Sequence, residues 1–145
     1  MSAVPGQPRL LFLSLANDPG SDRIVAAMGR HGARCGVIGA ANAFAARSRF
    51  ATDLFPLPRL ANYLPENRFL SPRLREIASG FRPDLIIPLD DLAARVLRDA
   101  RFYQNAGPEF EALLERSLGA LEFRNVGNRQ AFADEFSDPH SRIER

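Results

Sequence analysis

Lysine is absent from this chain of 145 residues, and all nineteen basic residues are arginine. That excludes any mechanism needing a lysine from these residues: a Schiff base, a P-loop lysine, or the lysine of a response-regulator receiver. The plain source of the bias is codon usage, because arginine and lysine interchange freely on surfaces, though not at bidentate sites. Tryptophan is absent too, while eleven phenylalanines are available to fill a core. The single cysteine, Cys35, has no partner for an internal disulfide. It opens a predicted strand as a small buried hydrophobe and suits a reducing, cytoplasmic setting. Long apolar runs are lacking, and none approaches the ~18 residues that span a bilayer. The run 10–16 follows Arg9 and precedes Asn17-Asp18, so it reads as a buried strand rather than a signal-peptide core. Basic blocks are lacking as well. With a net charge of +2 and scattered arginines, neither nucleic acid nor a membrane is expected as a partner.

What is present is organised around Arg82-Pro-Asp-Leu-Ile-Ile-Pro-Leu-Asp-Asp91. An apolar run closed by two acids and a helical pattern reads as a buried, central parallel strand that delivers acids to the carboxyl edge of a sheet. The rest alternates in the same way. Strands are expected at 9–15, 33–39 and 52–58, the last cut by prolines and therefore near an edge. A helix is expected over 22–31, with Ile24, Ala27, Met28 and His31 on one face and Gly32 as its left-handed stop. The Ala-rich run 40–49 reads as a short helix. Ser71 and Pro72 start another as N-cap and first residue, with a stripe of Leu74, Ile77, Ala78 and Phe81 and a stop at Gly80. Asp90 or Asp91 caps a helix to about 103. Pro108 starts the next, with Phe110, Leu113, Leu114, Ser117 and Leu118 on one face and Gly119 as its stop. A brief strand at 121–127 and a helix over 128–136 follow.

One domain over 9–136 is expected, between a flexible tail at 1–8 and a tail or truncated link at 137–145. The order β-α-β-α-β-α-β-α-α gives an α/β fold: a Rossmann-like three-layer sandwich with a parallel sheet of about four strands, order 3-2-1-4, and helices on both faces. Ligands of such sheets bind where the strand order reverses, here between the 14–21 loop and the 88–91 loop. Asp90, Asp91, Ser14, Asn17 and Ser21 are thereby the candidate substrate-binding residues. The acids could contact a substrate hydroxyl or amine, or simply cap the helix, with Asp91 paired to Arg95 one turn on. The 14–21 loop leads into a helix N-terminus, which favours anions, or is a plain turn. It is not G-x-G-x-x-G, so a nicotinamide dinucleotide is not expected. His31 and His140 lack metal partners at ligand spacing, and no G-x-S-x-G supports serine-hydrolase chemistry.

The early strand with its Ser-containing loop, the proline-flanked Asp53-Leu-Phe-Pro-Leu-Pro58, the Pro83–Asp91 stretch, and Asn128 with Arg129 and Phe132 come in a familiar order. Together they resemble the N-terminal preATP-grasp domain of ATP-grasp carboxylate–amine ligases and carbamoyl-phosphate-synthase-like enzymes, over about residues 9–136. The resemblance implies a substrate-side domain that lies against an ATP-grasp domain and is not catalytic alone. ATP and Mg²⁺, the acyl-phosphate chemistry and the nucleotide-anchoring lysines would belong to that missing domain, so no cofactor is expected in this chain. Arg129 stands where that family usually has lysine. The implied partners are the ATP-grasp domain and a small carboxylate or amine substrate, with a homodimer left open. The alternatives are the N-terminal half of a GT-B-type glycosyltransferase and a stand-alone, non-catalytic interaction module.

Overall fold

The computed structural model describes residues 6–57, 70–101 and 107–118. Four strands form one all-parallel sheet: β1 (Arg9–Leu13), β2 (Arg34–Gly39), β3 (Ala51–Pro56) and β4 (Leu85–Pro88), in the order β3-β2-β1-β4. This is the α/β, Rossmann-like arrangement that the alternation of elements predicts. The register is direct, with Leu11 opposite both Gly36 and Ile86. An irregularity at Cys35/Gly36 lets β3 slip by one residue at Thr52.

Four helices flank the sheet: α1 (Ser21–Arg30), α2 (Leu70–Phe81), α3 (Asp91–Arg101) and α4 (108–118). The strands are buried on both faces, so the side-chain alternation of β1 builds two cores. Leu11 and Leu13 join Ile38 and Ile86 under α2, α3 and α4, which contribute Leu74, Phe81, Leu97 and Leu114 among others. Leu10 and Phe12 join Cys35 and Val37 on the other face, under Val25 of α1. The stripe expected on α4 is buried throughout. Cys35 is fully buried, and that burial pushes its thiol pKa up.

Several sequence expectations are corrected. On α1 the face that points at the sheet carries Ser21 and Val25, while Ile24 and Met28 are 44% and 40% exposed. Small residues decide this. A Cβ on Gly29 would lie 2.4 Å from the Phe50 Cβ, so α1 packs by close approach and turns its larger side chains outward. The Ala-rich run is not a helix but a single 3-10 turn, Ala45–Arg47. The Phe44 amide, which a helix would give to Ala40, donates instead to Asn17 Oδ1 at 2.9 Å. Helix α2 begins at Leu70, which places Ser71 and Pro72 inside its first turn, where a proline removes no intrahelical bond. It runs past Gly80 to Phe81. Arg82 takes the left-handed position at φ 56, because the following Pro83 disfavours the helical region there. The β4 run is not buried on both faces: Leu85 is 37% exposed, and among the described strands β4 stands at the edge of the sheet rather than in its centre. On its outer side the Ile86 amide donates to Ser117 Oγ at 2.9 Å, and Pro88 has no amide hydrogen. The expectations for 1–5, 58–69, 102–106 and 119–145, including the last strand and helix, lie outside the described residues.

At the amino end of the sheet, arginine does what lysine could not. Arg34 grips Asp53 with two parallel hydrogen bonds, Nε to Oδ2 and Nη2 to Oδ1, both 2.9 Å. Arg9 donates to the Phe81 carbonyl at the end of α2, where a cation suits the helix dipole, and its guanidinium lies 4.7 Å from the Phe81 ring centre. The bond from Arg34 holds the Asp53 carboxyl pKa below its ordinary value.

Candidate functional site

The strand order reverses between β1 and β4, and the carboxyl ends of those strands bring the predicted residues together. Asp90 is the N-cap of α3: its Oδ1 accepts the Ala93 amide at 2.7 Å. Its Oδ2 reaches across the switch point and accepts the amides of Leu15 and Ala16, each at 2.9 Å. Three amides thus occupy both carboxylate oxygens, and the crevice expected between the two loops is bridged by the acid itself. Asp91 is the exposed first residue of α3, and the Asp91–Arg95 pair that helical spacing allows is not among the ion pairs of the described residues. Asn17 sits at φ 56 in the loop, its carbonyl oxygen committed to Phe44.

Ser14 and Ser21 differ from these three. Ser14 is 1% exposed and Ser21 4%, and neither hydroxyl oxygen has a hydrogen-bond partner. Burying a hydroxyl without a partner costs about 1–3 kcal/mol each. Their positions follow from the local fold. Ser14 continues the face of Leu10 and Phe12 one step past the end of β1, and its amide donates to Ile38 on β2 at 2.9 Å. Ser21 is the first residue of α1 and lies one turn before Val25 on the buried side of that helix. Gly20 precedes it as N-cap at φ 89, with no side chain capping the helix. Gly39 closes the space from β2: a Cβ there would stand 2.9 Å from the Ser14 carbonyl oxygen, so only glycine fits. The carboxyl end of β1 therefore has two sides: toward β4 Asp90 takes the Leu15 and Ala16 amides, and toward β2 the Ser14 amide turns to Ile38, while the Ser14 and Ser21 hydroxyls stay buried and unpaired.

Family models, curated proteins and solved structures contain no match to this chain. Among the described residues, no group of three or more His, Cys, Asp or Glu is placed to hold a metal ion. Nor is any helix among them long and apolar enough to cross a membrane. A feature that sequence reasoning missed is a cleft of about 1120 Å³ between α2 and α4, lined by Arg75, Glu76, Arg82, Pro83, Phe110 and Arg116 among others. The signal was available only in part. Helical spacing puts Arg75, Glu76 and Ser79 on one face of α2, but nothing local brings Arg82, past the helix end, or Arg116 beside them. In the fold the Arg116 Nε donates to the Asp84 carbonyl at 3.3 Å.

Proposed function

We propose that this chain is the substrate-side, non-catalytic domain of an ATP-dependent ligase of ATP-grasp type, working in the cytoplasm. The 3-2-1-4 parallel sheet, whose order reverses between β1 and β4, is the observation that carries this reading. The order of motifs that resembles preATP-grasp domains adds to it. In this view Ser14, Ser21 and Asp91 face a small carboxylate or amine substrate, while Asp90 and Asn17 hold the loops that frame it. ATP and Mg²⁺ would bind on the ATP-grasp domain, which would supply the phosphoryl-transfer chemistry. Ile24, Met28 and Leu54, exposed on or beside α1, give an apolar surface against which a further domain could pack.

Two measurements test the proposal. The coding sequence after codon 145 is expected to encode an ATP-grasp domain; a second Rossmann-like half there would favour the glycosyltransferase reading. Calorimetry on residues 1–145 is expected to show no tight binding of ATP with Mg²⁺. Tight, Mg²⁺-dependent binding would place the nucleotide site in this chain and overturn the assignment of roles.

A further inference from the structure

We propose that the buried Ser14 and Ser21 hydroxyls, together with the amino terminus of α1, form a subsite for a carboxylate group of a small molecule. The inference rests on the carboxyl end of the sheet being the substrate side, and it narrows that reading to one ligand chemistry.

Two independent observations meet here. In the first turn of α1 the Ser21 and Arg23 amides turn to the Asp18 and Gly20 carbonyls, which leaves the Asp22 amide and the positive end of a ten-residue helix dipole to meet a ligand. The hydroxyls of Ser14 and Ser21 are buried and unpartnered on the same side of the sheet. Each hydroxyl can donate one hydrogen bond to a carboxylate oxygen. Charge selects the class further. Between Ser14 and Ile24 the one cationic residue is Arg23, and it is exposed. Asp18 and Asp22 bracket Ser21 in the chain, and Asp90 holds the neighbouring Leu15 and Ala16 amides. The acids of this loop weigh more heavily against a dianion than a monoanion, and Arg47, a cation from another element, lies over the Phe44 ring at 5.0 Å, so a carboxylate is the favoured class. The subsite is separate from Asp90. The Ser14 amide turns to Ile38 of β2, whereas the next two amides turn to Asp90 beyond β4. Both hydroxyls are closed off from water in this structure. The ligand enters by displacing the loop of Ala16, Asp18 and Pro19, all exposed.

The test is titration of the folded chain with sodium acetate at constant ionic strength, followed by ¹⁵N amide shifts, with inorganic phosphate as the second arm. Acetate is expected to give saturable shifts at Ser14, Ser21, Asp22 and Gly39, and phosphate to bind at least about tenfold more weakly. Ser14→Ala and Ser21→Ala are each expected to weaken acetate binding by about tenfold, the loss of one hydrogen bond to a charged group. Each is also expected to raise Tm, because an unpaired buried hydroxyl is removed. A hydroxyl with a purely structural role would lower Tm instead. The proposal fails if acetate gives no saturable shift at these amides, if both variants bind acetate as the parent does, or if phosphate binds more tightly than acetate. The ligase reading stands or falls separately, on the downstream reading frame and the ATP calorimetry.

Discussion

The Leu15 amide donates to Asp90 Oδ2 at 2.9 Å, although 75 residues separate the two. That bond fixes the end of β1 to the start of α3, across the place where the strand order reverses.

Asp90 is therefore expected to matter far more to stability than its neighbour. Asp90→Ala removes an N-cap and two long-range bonds to a charged acceptor, and should cost about 2–4 kcal/mol. Asp91→Ala, at an exposed helix start, should cost at most about 1 kcal/mol. Urea midpoints of the two variants check this; equal losses would contradict the bridging role.

Asp53 should lend the fold an acid-sensitive contribution. Its folded-state pKa is depressed, chiefly by the hydrogen bond from Arg34. Such a group stabilises the fold above the unfolded-state pKa of about 3.9, and its contribution is lost as pH falls through the lower folded value. The stability gap between the parent and Asp53→Asn should be full at pH 6 and shrink steadily below about pH 4. Urea denaturation at a series of pH values measures it, and a gap independent of pH would remove the pair from the acid response.

Two glycines in helices should respond in opposite senses. Gly29→Ala drives a Cβ into Phe50, where the nearest contact would be 2.4 Å to the ring-bearing Cβ, and should cost about 1–3 kcal/mol. Gly80 lies inside α2 with open space around it, so Gly80→Ala should gain up to about 1 kcal/mol. Thermal melts of the two variants should move apart, one down and one up.

On α1 the residues that matter are not the largest. Val25→Ala should destabilise by about 1–3 kcal/mol, since Val25 is fully buried. Ile24→Gln and Met28→Gln should each stay within about 0.5 kcal/mol. The reverse ranking in chemical denaturation would restore the stripe that sequence periodicity suggests.

Those residues show what the sequence could and could not tell. The sheet order was legible, because strand-like runs alternating with helical patterns admit few parallel topologies, and the α4 stripe was legible because its large residues all turn inward. The face of α1 was not, because periodicity weights Ile24 and Met28, while packing is set by Gly29 against Phe50, a contact between distant positions. The loss of a helix over 40–49 had the same origin, since Asn17 takes an amide that local propensity assigns to Ala40. At the site, the helix cap at Asp90 could be read from the chain. Its reach to Leu15 and Ala16 could not, nor could the unpaired state of Ser14 and Ser21, which exists only once β1, β2 and α1 are assembled.

The outer side of β4 carries a consequence for how copies of this protein behave at high concentration. An exposed strand edge recruits other chains through its outward amides, and ordered aggregation begins there. Here the Ile86 amide is already taken by Ser117 Oγ, whose own proton goes to the Leu113 carbonyl at 2.8 Å, and Pro88 offers none. One hydroxyl and one imino acid thus deny incoming strands a foothold. Ser117→Ala would leave the buried Ile86 amide without its acceptor, and such a chain is expected to be less stable and to form fibrils sooner under agitation.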